Sequence, residues 1–85
     1  MTAIEVSQHD INRGEQRACG LCPISYATRR ATGSARVSVL AGVWIDHSEY
    51  KLPWPALDFI MRFDTSRDIE SARREVRPFT FEIDR

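Results

Sequence analysis

Alternating apolar and polar residues predict a strand at each end of the chain. Over 78–83 the alternation is strict and places three large apolar side chains on one face. These side chains belong to Phe79, Phe81 and Ile83. A shorter alternation over 3–6 predicts a strand in which Ile4 and Val6 turn inward. Both ends of the chain are therefore expected to contribute a strand with one buried face.

A capping pattern near the start of the chain predicts the first helix. Ser7 and Asp10 have the spacing of a capping box, so we expect a short helix over Gln8–Arg13. Gly14 is expected to end this helix in the left-handed conformation. Ile11 is the residue that such a helix would bury.

The start of the second helix is predicted by a proline. Pro23 fits the first helical position, where its missing N–H costs nothing, and Cys22 then falls at the N-cap. We expect this helix to run to about Ala31, with one apolar face. That face is expected to contain Ile24, Ala27, Thr28 and Ala31.

The middle of the chain is rich in β-branched and aromatic residues and predicts two or three short antiparallel strands. They are expected over 36–40, 43–46 and 49–52. A further helix is expected over 56–64, and the polar segment 65–77 is expected to be a frayed extra turn or a mobile loop. The whole pattern predicts one α+β domain over 1–85. It would contain a small antiparallel sheet of three to five strands with two main helices packed on one face.

Charge and length narrow the class of protein. The 85 residues include twelve basic and twelve acidic side chains, so the formal net charge is zero. No overall field draws such a chain to a polyphosphate, which makes nucleic acid a disfavoured partner. The first residues lack a basic region followed by an apolar run, and no apolar run approaches ~20 residues. We therefore expect a cytoplasmic protein that does not enter the membrane.

The two cysteines form a Cys-x-x-Cys-Pro motif, which is half of a zinc or redox signature. A structural zinc ion needs four ligands, and only His9 and His47 could complete the set with Cys19 and Cys22. We expect instead that Cys22 packs at the helix start and that Cys19 behaves as a small apolar residue. Accordingly, Cys19, Cys22 and Pro23 are predicted to be structural. We predict no metal and no cofactor, with zinc binding and thiol redox chemistry as the alternatives.

Candidate binding residues come from the aromatic side chains. No nucleophile stands beside a base and a carboxylate in the sequence, so we expect a protein without enzymatic activity. Trp44, Tyr50 and Trp54 lie within eleven residues, and they either complete the small core or form a contact surface. We take these three as candidate partner-binding residues. Arg29 and Arg30 are secondary candidates because arginine is enriched at interfaces.

Four motifs in this order resemble a group of small uncharacterised proteins encoded by actinobacteriophages, prophages and their hosts. The first is Ile-x-Val-Ser-Gln-x-x-Ile-x-x-Gly over 4–14, and the second is Cys-x-x-Cys-Pro-Ile from Cys19. A Leu-Pro pair followed by Phe-Ile-x-x-Phe-Asp covers 52–64, and Pro-Phe-x-Phe-x-Ile covers 78–83. The segment 65–76 looks longer than in the usual pattern of the group. The resemblance implies a phage-type accessory protein and brings no catalytic residue with it.

The resulting hypothesis is a non-enzymatic protein that binds a host or phage protein, or a second copy of itself. The first alternative is an oligomer that sequesters a nucleotide or another small ligand. Its phosphate would be held by the helix start at Pro23 together with Arg29, Arg30 or Arg36. The second alternative is a zinc-stabilised interaction module.

Overall fold

Five strands and four helices follow one another along residues 1–85 in the computed structural model. In chain order they are β1 (Thr2–Val6), α1 (Gln8–Arg13), α2 (Pro23–Thr32), β2 (Val37–Val39), β3 (Gly42–Ile45), β4 (Ser48–Lys51), α3 (Trp54–Thr65), α4 (Ile69–Glu75) and β5 (Phe79–Ile83). All strand pairs are antiparallel. The predicted α+β class is confirmed. None of the helices combines the length and the apolar character that crossing a membrane requires.

The strands form two separate sheets rather than one. β1 pairs with β5, and the register places Ile4 opposite Phe81 and Val6 opposite Phe79. The other sheet has the order β2-β3-β4 and consists of strands that are consecutive along the chain. The first and last strands therefore meet in space, while the middle strands form a local meander.

The core lies between the two sheets and the helices. Helix α2 packs on β1, and the inward side chains Ile4, Val6 and Ile24 are fully buried. A row of stacked rings connects α3 to β5. In this row the ring of Phe59 lies 5.9 Å from that of Phe63 and 5.0 Å from that of Phe79. The predicted terminal strand is thus part of the core, with Phe81 and Ile83 buried.

Helix α1 begins as its capping pattern predicts. The Ser7 hydroxyl accepts from the Asp10 N–H (3.2 Å), and the Ser7 N–H donates to the Asp10 carboxylate (2.9 Å). The expected role of Gly14 is wrong, because its φ of −73° is extended rather than left-handed. A glycine is needed there for space, since a Cβ would lie 2.4 Å from the ring of Pro23.

Helix α2 begins at Pro23 with Cys22 as the N-cap, as predicted, and Gly33 ends it in the left-handed conformation with φ 75°. Its buried face differs from the predicted one at two positions. Ala31 is exposed, and Ser25 is buried instead. The Ser25 hydroxyl donates to the Cys19 carbonyl oxygen (2.6 Å), so this side chain faces the cysteine loop rather than solvent.

The segment 65–77 contains an ordered helix, so the expected frayed turn or mobile loop is wrong. Asp68 caps α4 with its carboxylate, which accepts from the Ser71 N–H at 2.8 Å. Ala72 is fully buried and Val76 is 7% exposed, and α4 packs against α3. Together with Ile69, which is partly buried against the core, these two residues fix the otherwise charged segment in place.

Candidate functional site

Trp44 lies on the outer face of the three-stranded sheet. Its neighbours along β3, Val43 and Ile45, are buried, so alternation turns the indole of Trp44 away from the core. The side chain is 39% exposed, and its cross-strand neighbours are Ser38 and Glu49. A large apolar side chain is therefore presented to solvent on a polar face.

The other two aromatic candidates lie in different environments. Trp54 is the first residue of α3 and is 65% exposed. Tyr50 pairs with Val43 on the inner face and is half-buried against the core, with the guanidinium of Arg85 5.8 Å from its ring centre. The sequence left open whether the indoles belong to the core or to the surface. In the structure both indoles reach solvent, whereas Tyr50 turns inward.

The guanidinium of Arg30 is occupied by contacts within the chain. It donates to both carboxylate oxygens of Asp10 at 2.7 Å and to the Glu5 carbonyl oxygen at 2.7 Å. The Asp10 side chain is fully buried, and burial alone would raise its pKa. Hydrogen bonds from Arg30 and Ser7 outweigh this effect and lower the pKa of Asp10 below its usual value, while the pKa of Arg30 is raised by Asp10. Arg30 thus joins α2 to α1 and β1.

Arg29 has a different role from its neighbour. Its guanidinium lies 4.9 Å from the ring centre of Tyr26, and the guanidinium of Arg13 lies 4.1 Å from the same ring centre. The two arginines therefore stack on one aromatic ring at the surface where α1 meets α2.

The groups considered for phosphate binding do not meet. Pro23 and the residues on either side of it are buried, so the N-terminus of α2 offers no open site. Arg29 and Arg30 lie in the last turn of α2, about 9 Å further along the helix axis. Arg36 is exposed and lies beyond the end of the same helix. The nucleotide alternative thus lacks the site that the sequence suggested for it.

The cysteine loop closes one edge of the three-stranded sheet. The carbonyl oxygen of Cys19 accepts from the Val39 N–H at 2.8 Å, which fixes the loop to β2. Cys19 is exposed and Cys22 is buried, and both are free thiols. The sulfur of Cys22 lies 3.3 Å from the Ser25 hydroxyl. Burial raises the pKa of Cys22, so its sulfur stays a thiol at neutral pH.

The four candidate zinc ligands are not brought together. His9 is exposed on α1, and His47 is exposed in the turn between β3 and β4. No group of three or more histidine, cysteine, aspartate or glutamate side chains is arranged to hold a metal ion. The two cysteines are left without the further ligands that a structural zinc site needs.

A largely apolar cavity of about 340 Å³ opens beside the cysteine loop. Its wall is formed by Arg17, Ala18, Cys19, Cys22, Val39, Leu40, Ala41, Ile60 and Asp64. At the rim, the N–H of Arg17 donates to the Asp64 carboxylate (3.0 Å), and Arg17 has a left-handed φ of 53°. This cavity could not be predicted from the sequence, because its wall comes from three distant segments that no local pattern connects.

The cysteines are expected to be dispensable for folding. A Cys19→Ala/Cys22→Ser variant should melt cooperatively within a few degrees of the parent, because serine is a good N-cap and neither sulfur closes a disulfide. Thermal unfolding followed by circular dichroism, with elemental analysis of the parent protein, tests this. One zinc ion per parent chain, lost together with folding in the variant, would contradict the expectation.

The chain matches no protein family model, no curated protein and no solved structure. The structure combines a small α+β fold, two exposed indoles and an apolar cavity beside two free thiols. The resemblance to phage-encoded proteins stays a hypothesis.

Proposed function

We propose that this chain is a non-enzymatic binding protein that contacts a protein partner through Trp44 and Trp54. The observation that carries the proposal is the exposure of both indoles, at 39% and 65%. A chain with a small core gains stability from each large apolar side chain that it buries, at ~25 cal/mol per Å². Leaving both indoles in solvent gives up that stabilisation, and a partner surface would recover it on binding.

The residue types at these positions favour a binding protein over an enzyme. Tryptophan is among the residues most enriched at the energetic centres of protein interfaces, because it brings a large rigid surface at little entropic cost. Around Trp44, the neighbours Ser38 and Glu49 supply a polar margin of the kind that surrounds such centres. The only thiol deep in the chain, Cys22, has a raised pKa and is a poor nucleophile.

The partner class follows from the phage resemblance and stays part of the proposal. As a phage-type accessory protein, it would act in the cytoplasm of the host, on a protein of the host or of the phage. The neutral net charge gives such a protein no general attraction for nucleic acid. Recognition would then depend on the shape and apolar character of the surfaces around Trp44 and Trp54.

Replacing Trp44 or Trp54 by alanine is expected to abolish partner capture while leaving the fold intact. Loss of an interface anchor costs ~2 kcal/mol or more, which corresponds to a weakening of about 30-fold. Capture would be measured with immobilised protein in a lysate of the cell that produces it, followed by mass spectrometry of the retained proteins.

Leu21→Ala is the matched control, because Leu21 is 44% exposed and lies away from both tryptophans along the chain. This variant should retain its partner. Far-UV circular dichroism and melting curves establish that all three variants fold. If the tryptophan variants are folded and still capture the same protein as the control, Trp44 and Trp54 are not part of the binding site.

A second candidate function is favoured by the cavity beside Cys19 and Cys22. Its wall is mainly apolar, and its charged rim residues, Arg17 and Asp64, bond to each other. Such a site suits a small apolar ligand better than a nucleotide. A melting temperature that rises with small apolar compounds but not with nucleotides would favour this function over protein binding.

A further inference from the structure

The hydrogen bonds of β3 establish which residues of β4 face outward. The Leu40 N–H donates to the Gly42 carbonyl oxygen and the Asp46 N–H donates to the Arg36 carbonyl oxygen, both at 2.8 Å. Even-numbered residues along β3 therefore bond toward β2. Because successive residues of a central strand bond to opposite sides, the odd-numbered residues bond toward β4.

The register then fixes the direction of each backbone group in β4. Val43, an odd-numbered residue, pairs with Tyr50, so Tyr50 bonds inward to β3. Its neighbours Glu49 and Lys51 direct their N–H and C=O groups to the free side of the strand. No loop, turn or cap hydrogen bond of the chain involves the backbone of either residue. β4 thus presents an unsatisfied edge of two donors and two acceptors.

This edge is the open one of the three-stranded sheet. On the opposite side, β2 is closed by the cysteine loop, since the Val39 N–H donates to the Cys19 carbonyl oxygen. Beside the start of β3 and the end of β4, an open groove of about 490 Å³ is lined by residues that include Gly42, Lys51 and Leu57. Both residues whose backbone groups point to the free side, Glu49 and Lys51, are exposed.

The two outward residues have opposite charges. Glu49 and Lys51 are exposed, and neither forms an ion pair within the chain. They stand on the same face of the strand, with Tyr50 between them on the other face. An antiparallel strand that repeats this order, Glu-Tyr-Lys, places a lysine opposite each glutamate. The edge is therefore complementary to a second copy of itself.

We propose that two copies of the chain pair through β4, antiparallel about a two-fold axis at Tyr50, to form one continuous six-stranded sheet. Glu49 of each copy then faces Lys51 of the other, and this register forms four backbone hydrogen bonds between the outward groups of the two residues. The two Tyr50 side chains meet across the axis on the inner face. The Glu49–Lys51 ion pair is thus formed twice by symmetry.

Charges on an edge strand usually prevent such pairing, so the arrangement of the signs is the important observation. Two like charges at these positions would repel a second copy, whereas one positive and one negative charge attract it. The paired edge is short, and the contact is smaller than a standard interface of ~800 Å² per partner. We therefore expect a dimer that dissociates on dilution and weakens as the salt concentration rises.

Exchanging the charges of Glu49 and Lys51 tests the proposed dimer, and the test needs no other partner. Glu49→Lys and Lys51→Glu variants should each raise the dimer dissociation constant about tenfold or more, since each places like charges opposite each other twice. A mixture of the two single variants should dimerise again, because each glutamate then faces a lysine. The double variant Glu49→Lys/Lys51→Glu should dimerise like the parent. Sedimentation velocity over micromolar to millimolar concentrations measures all four.

A parent protein that stays monomeric at millimolar concentration would overturn the proposal, as would a dimer that neither single variant weakens. Both substitutions are at exposed positions, and melting curves verify the fold of each variant. The pairing does not rest on the proposed function of the tryptophans. Trp44→Ala removes no backbone group of β4, so a variant that loses its partner should still dimerise.

Discussion

A chain that ends at Arg77 is expected to be unfolded or insoluble. The truncation removes β5, in which Phe81 and Ile83 are buried at 4% and 1% exposure and Phe79 stacks on Phe59. Loss of one buried phenylalanine alone costs ~3–5 kcal/mol, which is comparable to the whole stability of a small domain. Far-UV circular dichroism and a melting curve would show the loss of a cooperative transition.

The matched control ends at Ile83 and lacks only the last two residues. It loses an exposed hydrogen bond from the Thr2 hydroxyl to the Arg85 carbonyl oxygen, and the contact of Arg85 with Tyr50. Its unfolding free energy should fall by ~1 kcal/mol or less. A chain ending at Arg77 that melts near the parent temperature would disprove the role assigned to β5.

Replacing Arg30 by alanine is expected to lower the free energy of unfolding by ~2–3 kcal/mol. The fully buried carboxylate of Asp10 would keep its bonds from Ser7 but lose both bonds from the guanidinium. Arg29→Ala is the matched control at the adjacent position, and it should cost less than ~1 kcal/mol because it removes one surface contact with Tyr26. Equilibrium unfolding in urea measures both variants.

The pH dependence of the free energy of unfolding tests the expected effect of Arg30→Ala in a second way. In the folded protein the pKa of Asp10 is lowered, so its contribution is present above the unfolded value of ~4 and is lost as the pH falls through the folded pKa. The stability difference between the parent and Arg30→Ala should therefore be largest near neutral pH and become smaller below about pH 4. Equal effects of the Arg29 and Arg30 variants at every pH would contradict the ion pair.

The expected destabilisation by Arg30→Ala also limits how a binding role of Arg30 can be tested. Arg30 was a candidate binding residue, and an Arg30 variant that loses its partner would be explained equally well by partial unfolding. Arg29 leaves the fold nearly intact and is the better probe of a binding role. Nothing in the local pattern around Arg30 indicates its bond to Asp10, because the two residues lie in different helices.

Elements with a local physical signal could be predicted from the sequence. The capping box at Ser7, the proline that begins α2 and the alternation of β5 depend on neighbours within a few residues, and all three are confirmed. The separation into two sheets could not be predicted in this way. It depends on β1 pairing with the far end of the chain, which alternation alone does not reveal.

The same distinction applies to the candidate site. The closeness of Trp44, Tyr50 and Trp54 along the chain is visible in the sequence. The exposure of each indole, however, depends on which face of the sheet and of the helix is covered in the fold. Helix α4 was missed because few apolar residues, Ile69, Ala72 and Val76, anchor an otherwise charged segment. The cavity beside the cysteines was missed for a different reason, because Ile60 and Asp64 approach the loop only in the folded chain.

The pairing of the first strand with the last has a consequence for how the protein is made. The sheet of β2, β3 and β4 is built from neighbouring segments and can form early during synthesis. β1 is synthesised long before β5, and until β5 follows, its apolar residues Ile4 and Val6 have no sheet partner. Until β5 is synthesised, β1 is therefore an unpaired strand that is open to chaperones or to aggregation. β1 precedes β2, β3 and β4 in the chain and yet completes its sheet after them.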